Sequence, residues 1–531
     1  MENDDLTKER LVKDTTQLSF INYQKLADEN DPDGMYRLGY CYEHGIGVEK
    51  DKKKAFIYYQ KSADMNNSNG MYQVGYCYYL GIGIDKNKHK AFENYHKSAE
   101  MNNLNGIYKT TICYYYGIGV EKNEEKSFEW FENRPEYGKC AHCNEDNLSE
   151  VWCLRCDPDI ETQWTSGNID IDDFIKTFQL RAFSYESLIE WIPFDRLDKI
   201  IKVGKGGFGS VYRATWLDGV RKIEKIKKDD NNYSYKRSRD SNKIVALKTL
   251  SNSETNVNSL EFLSEFKNHM QCILFGSKLR IYGLTHDPKT NEYLMVLQYA
   301  NGGNIHKVLQ SNFNELTWEF KLNQLSYISK DLTDIHEAGY IHADFHSGNI
   351  LHNNGASYVA DLGLSKKNNE TSTSGIYGVM PYVPPEVLLG EQQFTQAADI
   401  YGFGVIMTEI ATGKRPFDGR KFNAKLGAEI CKGLRPNCGS ETPNCYVELA
   451  NLCMNSDPQK RPVAWRIYVT IGDWLKKLAS NDENNEIKKQ FSNADKIIKT
   501  LPIIPQNHSD SMYTSKAINT QKISSAIKDN N

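Results

Sequence analysis

Long apolar runs are missing from this sequence of 531 residues. No uninterrupted apolar stretch approaches the ~18 residues that a helix needs to cross a bilayer, so we expect no membrane insertion. The first ten residues, MENDDLTKER, also lack the apolar segment of a secretion signal. We therefore expect a soluble protein in the cytoplasm.

A strong charge of either sign is also missing. Lys and Arg total 65 against 69 Asp and Glu, which gives a net charge of -4. Without a basic excess we expect no nucleic-acid partner. Hydrophobic residues make up 39% and charged residues 25% of the chain, which is ordinary for globular proteins, and a chain of this length is expected to contain several domains.

A repeat occupies the first part of the chain. Three similar segments, 36 residues apart, begin at Gly34, Gly70 and Gly106. Leu38, Cys41 and Tyr42 are spaced i, i+3, i+4 and so indicate one helix face, and a G-I-G turn leads into a second helix. We predict three helical hairpins over residues 34–135, preceded by a segment, residues 1–33, that contains a partial capping repeat.

The repeated pattern resembles a known family. The glycine spacing, L-G-x-x-Y from Leu38 to Tyr42, and K-A-F at the start of the second helix are similar to Sel1-like repeats, relatives of the tetratricopeptide family. That resemblance implies an all-α solenoid that binds protein partners. Alternatively, the apolar residues only hold the solenoid together, which we prefer for any single residue, including the regularly spaced Cys41, Cys77 and Cys113.

Two C-x-x-C pairs follow the repeats. They consist of Cys140, Cys143, Cys153 and Cys156. Four thiolates with this spacing can surround zinc as a tetrahedron, so we predict a small structural zinc knuckle over residues 136–160. Free thiols or a redox pair are the alternative. The other cysteines are dispersed through the chain, and we expect no disulfide framework.

A glycine-rich loop begins near Lys202, with the sequence KVGKGGFGSVYRA. Because Val211 and Tyr212 continue as a strand, the G-x-G-x-x-G-x-V spacing favours a hairpin over phosphates rather than a dinucleotide site. VALK follows and ends in Lys248, which can reach the phosphates. The expected nucleotide contacts here are Val203, Gly204, Lys205, Gly206, Gly207, Phe208, Gly209, Val211, Ala246 and Lys248.

The stretch YIHADFHSGNIL, followed by VADLGL, carries the chemistry. It places His342, Asp344 and Asn349 in H-x-D-x-x-x-x-N spacing, and Asp361 follows in D-L-G. Phosphoryl transfer needs metal ions beside the phosphates and a carboxylate beside the attacking hydroxyl. Asn349 and Asp361 are candidate Mg²⁺ ligands and Asp344 the candidate catalytic carboxylate, so ATP and Mg²⁺ are the expected cofactors.

In this order the motifs resemble a eukaryotic protein kinase domain over residues 197–478, and the H-S-G-N of the catalytic loop is similar to the tyrosine-kinase-like group. The resemblance implies an α+β bilobal fold, with an N-lobe at 197–300 and a C-lobe at 301–478. It also implies that PYVPPEVL and DPQKRP supply a buried pair, Glu386 and Arg461.

The resemblance places further residues around the nucleotide. Glu265 is our choice for the helix-C glutamate that pairs with Lys248, and Glu261, one turn away on the same face, is the fallback. Leu297 stands before the hinge that admits adenine, and the hinge runs from Gln298 to Ala300.

Three positions depart from the family pattern. Ala343 replaces the usual arginine, which makes activation by loop phosphorylation doubtful. His346 stands where lysine is usual and Val379 where threonine is common, which leaves both the rate and the substrate class open. We favour serine/threonine over tyrosine.

The remaining segments carry less information. We expect a helical linker at residues 161–196 and a disordered tail at residues 479–531, whose composition is polar and poor in aromatics. The basic stretch between Arg221 and Lys243 predicts a solvated loop, or alternatively a docking site for an acidic partner.

The sequence thus predicts a multidomain protein kinase that takes ATP and a protein substrate and uses its repeats as a protein-interaction module. A pseudokinase scaffold, in which the same fold binds nucleotide and partners without efficient catalysis, is the alternative. A nucleic-acid binder acting through the cysteine knuckle is a third reading, disfavoured because that segment lacks a basic, aromatic surface. The protein substrate, the upstream signal, the partner of the repeats and the oligomeric state cannot be read from the sequence.

Overall fold

The computed structural model describes residues 20–21, 23–45, 48–101, 103–131, 165–179, 185–206, 209–229, 232–250, 263–273, 278–367, 375–482, 484–499 and 510–528. These residues form two compact units, one containing the repeats and one containing the kinase-like motifs. The four cysteines of the predicted zinc knuckle lie outside the described residues. Among the described helices, none combines the length and the apolar character needed to cross a membrane.

The repeat unit consists of paired helices, five of which have 13 residues each. In chain order they are α1 (Pro32–His44), α2 (Lys52–Asp64), α3 (Ser68–Leu80), α4 (Lys88–Glu100), α5 (Leu104–Tyr116) and α6 (Glu124–Phe131). Asp or Asn side chains cap most of their N-termini; for example, Asn67 accepts a hydrogen bond from the Gly70 N–H. Gly45 ends α1 in the left-handed conformation, and Gly81 and Gly117 end α3 and α5 in the same way.

Small residues hold the helices close together, both within a hairpin and between neighbouring hairpins. The Ser62 hydroxyl donates to the Pro32 carbonyl at 2.6 Å, and one period later Ser98 donates to the Ser68 carbonyl at 2.7 Å. A Cβ on Gly70 would come within 2.6 Å of the Ser62 hydroxyl, so glycine permits this approach. Cys41, Cys77 and Cys113 are buried and burial raises the pKa of each thiol, which confirms that they are packing residues.

The second unit begins with α7 (Ile169–Gln179) and contains a six-stranded sheet in the order β1-β7-β8-β6-β3-β2. Its strands pair antiparallel except for β1, which is parallel to β7. Leu247 and Val296 lie opposite each other in this sheet and are fully buried. The strands are β1 (Glu190–Trp191), β2 (Leu197–Gly206), β3 (Gly209–Trp216), β6 (Lys243–Thr249), β7 (Ile281–Asp287) and β8 (Glu292–Gln298), with α8 (Ser264–Ile273) between β6 and β7.

The rest of the second unit is mainly helical. Its core contains Trp318, Tyr401, Phe403 and Tyr446, all fully buried. The helices are α9 (Ile305–Asn312), α10 (Trp318–Glu337), α11 (Pro385–Leu388), α12 (Gln396–Thr412), α13 (Ala424–Cys431), α14 (Asn444–Cys453), α15 (Ala464–Ala479), α16 (Glu486–Ile498) and α17 (Thr520–Lys528). Short strands complete it: β9 (Tyr340–Ile341), β10 (Ile350–Asn353), β11 (Ala356–Val359), β12 (Lys366–Lys367), β13 (Tyr377–Gly378) and β14 (Lys516–Ala517).

The expected helical linker at residues 161–196 is only partly helical. Helix α7 is present, but the described residues 185–192 contain a 3-10 turn and strand β1. The prediction failed here because a short apolar segment is compatible with the period of a helix and with that of a strand. Pairing with β7 stabilises the strand.

The expected loop between Arg221 and Lys243 is also wrong in its described residues. They form a hairpin of β4 (Val220–Asp229) and β5 (Asn232–Asp240). At its base the guanidinium groups of Arg221 and Arg239 both donate to the partly buried Glu190 carboxylate, at 3.2 Å and 2.7 Å. Part of the basic charge therefore has an internal partner.

The expected disordered tail at residues 479–531 is wrong where the structure describes it. Phe491 and Ile498 of α16 are buried against the core, and Phe491 lies 5.4 Å from the ring of Trp318. Further on, Tyr513 and Ile523 are also buried. The polar composition concealed a few well-placed apolar residues, and tertiary contacts order the segment.

Candidate active site

The described residues of the glycine-rich segment form two paired strands, as the sequence predicts. Strands β2 and β3 pair with Gly204 opposite Val211 and Gly206 opposite Gly209, while Gly207 and Phe208 lie outside the described residues. The Ser210 N–H donates to the Thr249 hydroxyl at 2.9 Å, and a Cβ on Gly209 would meet the Thr249 carbonyl at 2.7 Å. The close approach to β6 accounts for glycine at position 209.

Strand β6 carries the lysine between two neighbours. Lys248 lies opposite Val211 of β3 and Met295 of β8. Ala246 and Leu297 are opposite each other on β6 and β8, and Gln298 ends β8. Ala300 follows in the connection to the helical lobe. The structure thus places the predicted adenine contacts Ala246, Leu297, Gln298 and Ala300 on adjoining backbone.

The Lys248 amine joins two acidic groups from distant parts of the chain. Its Nζ lies 2.6 Å from Glu265 Oε1 and 2.6 Å from Asp361 Oδ1. Burial alone would lower the pKa of Lys248, but these two carboxylates hold it above its ordinary value, so the amine is charged. Burial opposes ionisation of Asp361 as well, yet Lys248 holds the pKa of Asp361 below its ordinary value. The fallback Glu261 lies outside the described residues.

Helix α8 is held in place by α7, from outside the predicted kinase domain. Phe266 of α8 is fully buried and packs against Phe174 and Phe178 of α7, with ring centroids 5.7 Å and 6.0 Å away. On the same helix, His269 Nε2 accepts from the Leu362 N–H at 3.2 Å. Glu265 is therefore positioned by contacts on two sides of its helix.

One buried carboxylate holds the backbone of the catalytic loop through hydrogen bonds. Asp399 of α12 accepts hydrogen bonds from the backbone N–H groups of His342 at 2.8 Å and Ala343 at 3.0 Å, and its Oδ2 lies 2.9 Å from His336 Nε2. Ala343 has φ 63, a left-handed conformation that costs a non-glycine residue free energy. The Asp399 contacts stabilise this conformation.

His342 fixes the backbone on the other side of the loop. Its Nδ1 accepts from the Asp344 N–H at 3.3 Å and its Nε2 faces the Ala360 carbonyl at 3.0 Å. The carbonyl requires a proton on Nε2, so the ring is neutral. Burial agrees, since it lowers the pKa of His342. The ring thereby links the catalytic loop to the residue before Asp361.

The Asp344 side chain faces three polar partners. Its Oδ2 lies 3.3 Å from the Asn349 amide nitrogen, 3.5 Å from His346 Nε2 and 2.5 Å from the Ser515 hydroxyl. Although burial favours the neutral acid, His346 and Ser515 hold the pKa of Asp344 below its ordinary value. Its Oδ1 is buried and has no hydrogen-bond partner among the described residues.

The segment after Asp361 is anchored at its end. Arg461 donates to both oxygens of Glu386, at 2.7 Å and 2.8 Å, which confirms the predicted buried pair. Val379 is buried beside the catalytic loop. The structure therefore brings together Lys248, Glu265, Asp344, Asn349 and Asp361, and adds His346, Asp399 and Ser515. No motif marks Ser515, whose contact depends on a segment that the composition suggested was disordered.

The family comparison agrees with this geometry. A family model described as "Protein tyrosine and serine/threonine kinase" matches residues 197–471, which is more than half of the chain. The chain belongs to this protein kinase family. Sel1 repeats are matched at residues 32–67, 68–103 and 108–133, which confirms the predicted repeats of the helical unit. Assignment to the tyrosine-kinase-like group stays a prediction.

The similar proteins each match about half of this chain. Cyclic GMP-binding protein C of Dictyostelium discoideum is 28% identical over 318 residues, covering 52% of this chain and 11% of that protein. A probable serine/threonine-protein kinase of the same organism is 28% identical over 275 residues (51% and 27%). The probable serine/threonine-protein kinase drkA is 26% identical over 294 residues (55% and 40%). The chain thus spans less than half the length of each of these relatives.

Proposed function

We propose that this kinase-family chain is a catalytically active protein kinase that transfers the γ-phosphoryl group of ATP to a serine or threonine hydroxyl. The observation that carries the proposal is the convergence of Lys248, Asp344 and Asp361 with Asn349 at one site. The names of the relatives, which include serine/threonine-protein kinases, favour serine and threonine over tyrosine.

The donor set fits Mg²⁺. Hard oxygen ligands are what this ion prefers, and the Asp361 carboxylate and the Asn349 side-chain oxygen are candidates to hold it. When bound, Mg²⁺ would neutralise charge that develops on the phosphates. The unpartnered Asp344 Oδ1 is a further polar atom at this site that no described group satisfies.

The chain's own residues supply positioning and proton transfer. Lys248, charged and fixed by Glu265, can contact the phosphates of ATP beneath the glycine-rich loop. Asp344 is ionised at neutral pH and can accept the proton of an attacking hydroxyl. Its backbone carbonyl accepts from the Asn349 amide at 3.0 Å, which orients the asparagine side chain.

A pseudokinase scaffold is the second candidate. The observation that favours it is His346, which stands in the place of the usual lysine and lies 3.5 Å from Asp344 Oδ2. A neutral imidazole there would stabilise transferred charge less than an ammonium group does.

Transfer of labelled γ-phosphate to a generic protein substrate separates the two candidates. We expect the wild-type chain to incorporate label, Asp361→Ala to abolish it, and Asp344→Asn to reduce it about 10²–10⁴-fold. Asp473→Asn is the matched control, because Asp473 is exposed and pairs with Lys477 of its own helix. A folded wild-type protein that binds ATP and transfers nothing would favour the scaffold. Phosphoamino-acid analysis of the product then tests serine/threonine against tyrosine.

We also propose that the Sel1 repeats bind protein partners and that Cys140, Cys143, Cys153 and Cys156 hold one structural zinc. Cysteine spacing alone supports the zinc site. Metal analysis of freshly purified, reduced protein should find about one zinc per chain and less in Cys153→Ser. Cys438→Ser, at a buried cysteine of the kinase unit, is the control.

A further inference from the structure

The segment around Ser515 lies along the edge of the kinase's activation segment. Strand β14 pairs antiparallel with β13, with Ala517 opposite Tyr377 and Lys516 opposite Gly378. The Ile518 N–H extends the ladder by donating to the Ile376 carbonyl at 2.8 Å. Added strands of this kind are a general way in which proteins hold extended peptides.

An aromatic anchor precedes this strand. Tyr513 is 4% exposed, and its hydroxyl donates to the Pro416 carbonyl at 3.1 Å. The Arg415 guanidinium lies 4.7 Å from the ring centroid, and Phe422 meets the ring edge-on at 5.0 Å. These contacts fix the chain two residues before Ser515.

A second anchor follows the strand. Ile523 of α17 is 1% exposed and packs on α13 at Gly427, where a Cβ would come within 2.7 Å of the isoleucine side chain. Thr520 likewise lies against Gly390. Ser515 is thus held between two buried anchors, Tyr513 and Ile523, in the manner of a docked substrate peptide.

Between the anchors, the Ser515 hydroxyl donates to Asp344 Oδ2 at 2.5 Å. Asp344 is the carboxylate that accepts the proton of the attacking hydroxyl in the proposed reaction. A general base must lie within hydrogen-bond distance of the group whose proton it accepts, and Asp344 meets this requirement. The pairing of β13 with β14, the two buried anchors and the hydrogen bond to Asp344 all place the Ser515 hydroxyl in the position expected of a phosphoacceptor.

We propose that Ser515 is a phosphoacceptor for the active site of its own chain, a reaction that rests on the kinase activity proposed above. The Ser515 Oγ–H bond breaks and its proton passes to Asp344, while Oγ forms a bond to the γ-phosphorus of ATP. The bond from that phosphorus to the bridging oxygen breaks, ADP leaves with the electron pair, and the proton returns to solvent from Asp344.

The product has a physical consequence. A phosphoserine carries a charge of about −1.5 to −2 at neutral pH. The phosphorylated Ser515 oxygen has no proton to donate to Asp344 Oδ2, so the hydrogen bond that holds the side chain there is lost and the modified segment leaves the site. Self-phosphorylation therefore frees the edge at β13 for other substrates.

The test uses the full chain with ATP and Mg²⁺, maps phosphorylated residues by mass spectrometry, and measures transfer to a generic protein substrate in parallel. We expect Ser515 to be phosphorylated at a first-order rate that does not change when the protein is diluted. Ser515→Ala should lower self-incorporation about tenfold or more, whereas Ser525→Ala, at an exposed serine of α17, should not. Ile523→Asp, which removes one anchor, should slow Ser515 phosphorylation and speed transfer to the added substrate.

Each other outcome counts against the proposal. Transfer to the added substrate without modification of Ser515 overturns this inference and leaves the proposed kinase activity standing. A rate at Ser515 that falls in proportion to dilution overturns the intramolecular reaction. No transfer to any acceptor by folded, ATP-binding protein overturns the kinase activity and this inference together.

Discussion

Asp399 lies behind the catalytic loop, yet the geometry of Asp344 depends on it. Its carboxylate is the hydrogen-bond acceptor for the backbone of His342 and Ala343, and Ala343 is in a left-handed conformation. The H-x-D-x-x-x-x-N spacing identified the residues that face the substrate. It could not reveal how their backbone is held, because those hydrogen bonds come from a helix more than fifty residues further along the chain.

A buried lysine in α10 lowers the free energy of unfolding by an amount that depends on pH. Lys321 is fully buried, its Nζ lies 3.8 Å from the ring centroid of Phe313, and it has no hydrogen-bond partner among the described residues. Burial lowers the pKa of Lys321 to about 7, which Asp495 only partly opposes. In the unfolded chain the pKa is about 10.4.

Stability should therefore rise as the pH rises from about 7 to about 10, because the unfolded chain then binds one more proton than the folded chain does. We expect Lys321→Met to stabilise the kinase unit by about 1–3 kcal/mol at pH 6, with the gain shrinking towards pH 10. Chemical denaturation at several pH values measures this. Lys425→Met, at an exposed position of α13, is the control and should leave the slope unchanged. Equal effects of Lys321→Met at pH 6 and pH 10 would contradict the prediction.

At the scale of elements, the sequence predicted those that have a periodic pattern. It did not predict those whose structure depends on tertiary contacts. The repeat period predicted the helical hairpins, and the glycine spacing predicted the β2–β3 unit. Strand β1 and the β4–β5 hairpin were missed, because pairing partners decide their structure: β7 for the first, and Glu190 with its two arginines at the base of the second. The packing of α7 on α8 was likewise invisible, since it depends on a contact between aromatic side chains far apart in sequence.

Two repeat glycines with nearly the same φ angle should respond differently to alanine. Gly83 has φ 70 and a Cβ there would lie 1.9 Å from the Lys52 carbonyl, whereas at Gly45, with φ 71, the nearest atom is 3.5 Å away. We expect Gly45→Ala to cost only the left-handed strain, about 1–2 kcal/mol, and Gly83→Ala to cost more, because backbone atoms must move. Hydrogen exchange of α2 and α3 in the full chain measures the difference. Equal loss of protection in the two variants would contradict it.

At the scale of the whole molecule, the two families of motifs predicted the helical repeats and the kinase fold, but not what the last residues do. The resemblance to protein kinases implied the Lys248–Glu265 pair, whereas the contact of Lys248 with Asp361 was not predicted. The Ser515–Asp344 contact could not be predicted, because it requires knowing that Tyr513 and Ile523 find pockets on the kinase unit. The burial of these two side chains orders a segment whose polar composition predicted disorder.

Removing residues 510–531 should expose the activation-segment edge to other substrates. A segment that occupies the site for most of the time reduces the apparent affinity for a competing peptide by the fraction of free sites. If it occupies about nine sites in ten, deletion lowers the peptide KM about tenfold and leaves kcat unchanged. The KM for ATP should not change, because no described contact of Tyr513, Ser515 or Ile523 reaches the glycine-rich loop. Initial-rate kinetics on a serine peptide, with dephosphorylated protein, measure all three constants.

A point variant serves as a control for structural damage caused by the deletion. Ile518→Pro removes the N–H that donates to the Ile376 carbonyl but leaves Tyr513 and Ile523 in place, so it should lower the peptide KM by less than deletion does. A deletion variant that loses kcat has lost structural support, since Tyr513 and Ile523 also cover apolar surface. A peptide KM that is the same in wild type, Ile518→Pro and the deletion would mean that the segment does not compete with substrate. The order deletion, Ile518→Pro, wild type, from lowest to highest KM, is the result that intrachain competition requires.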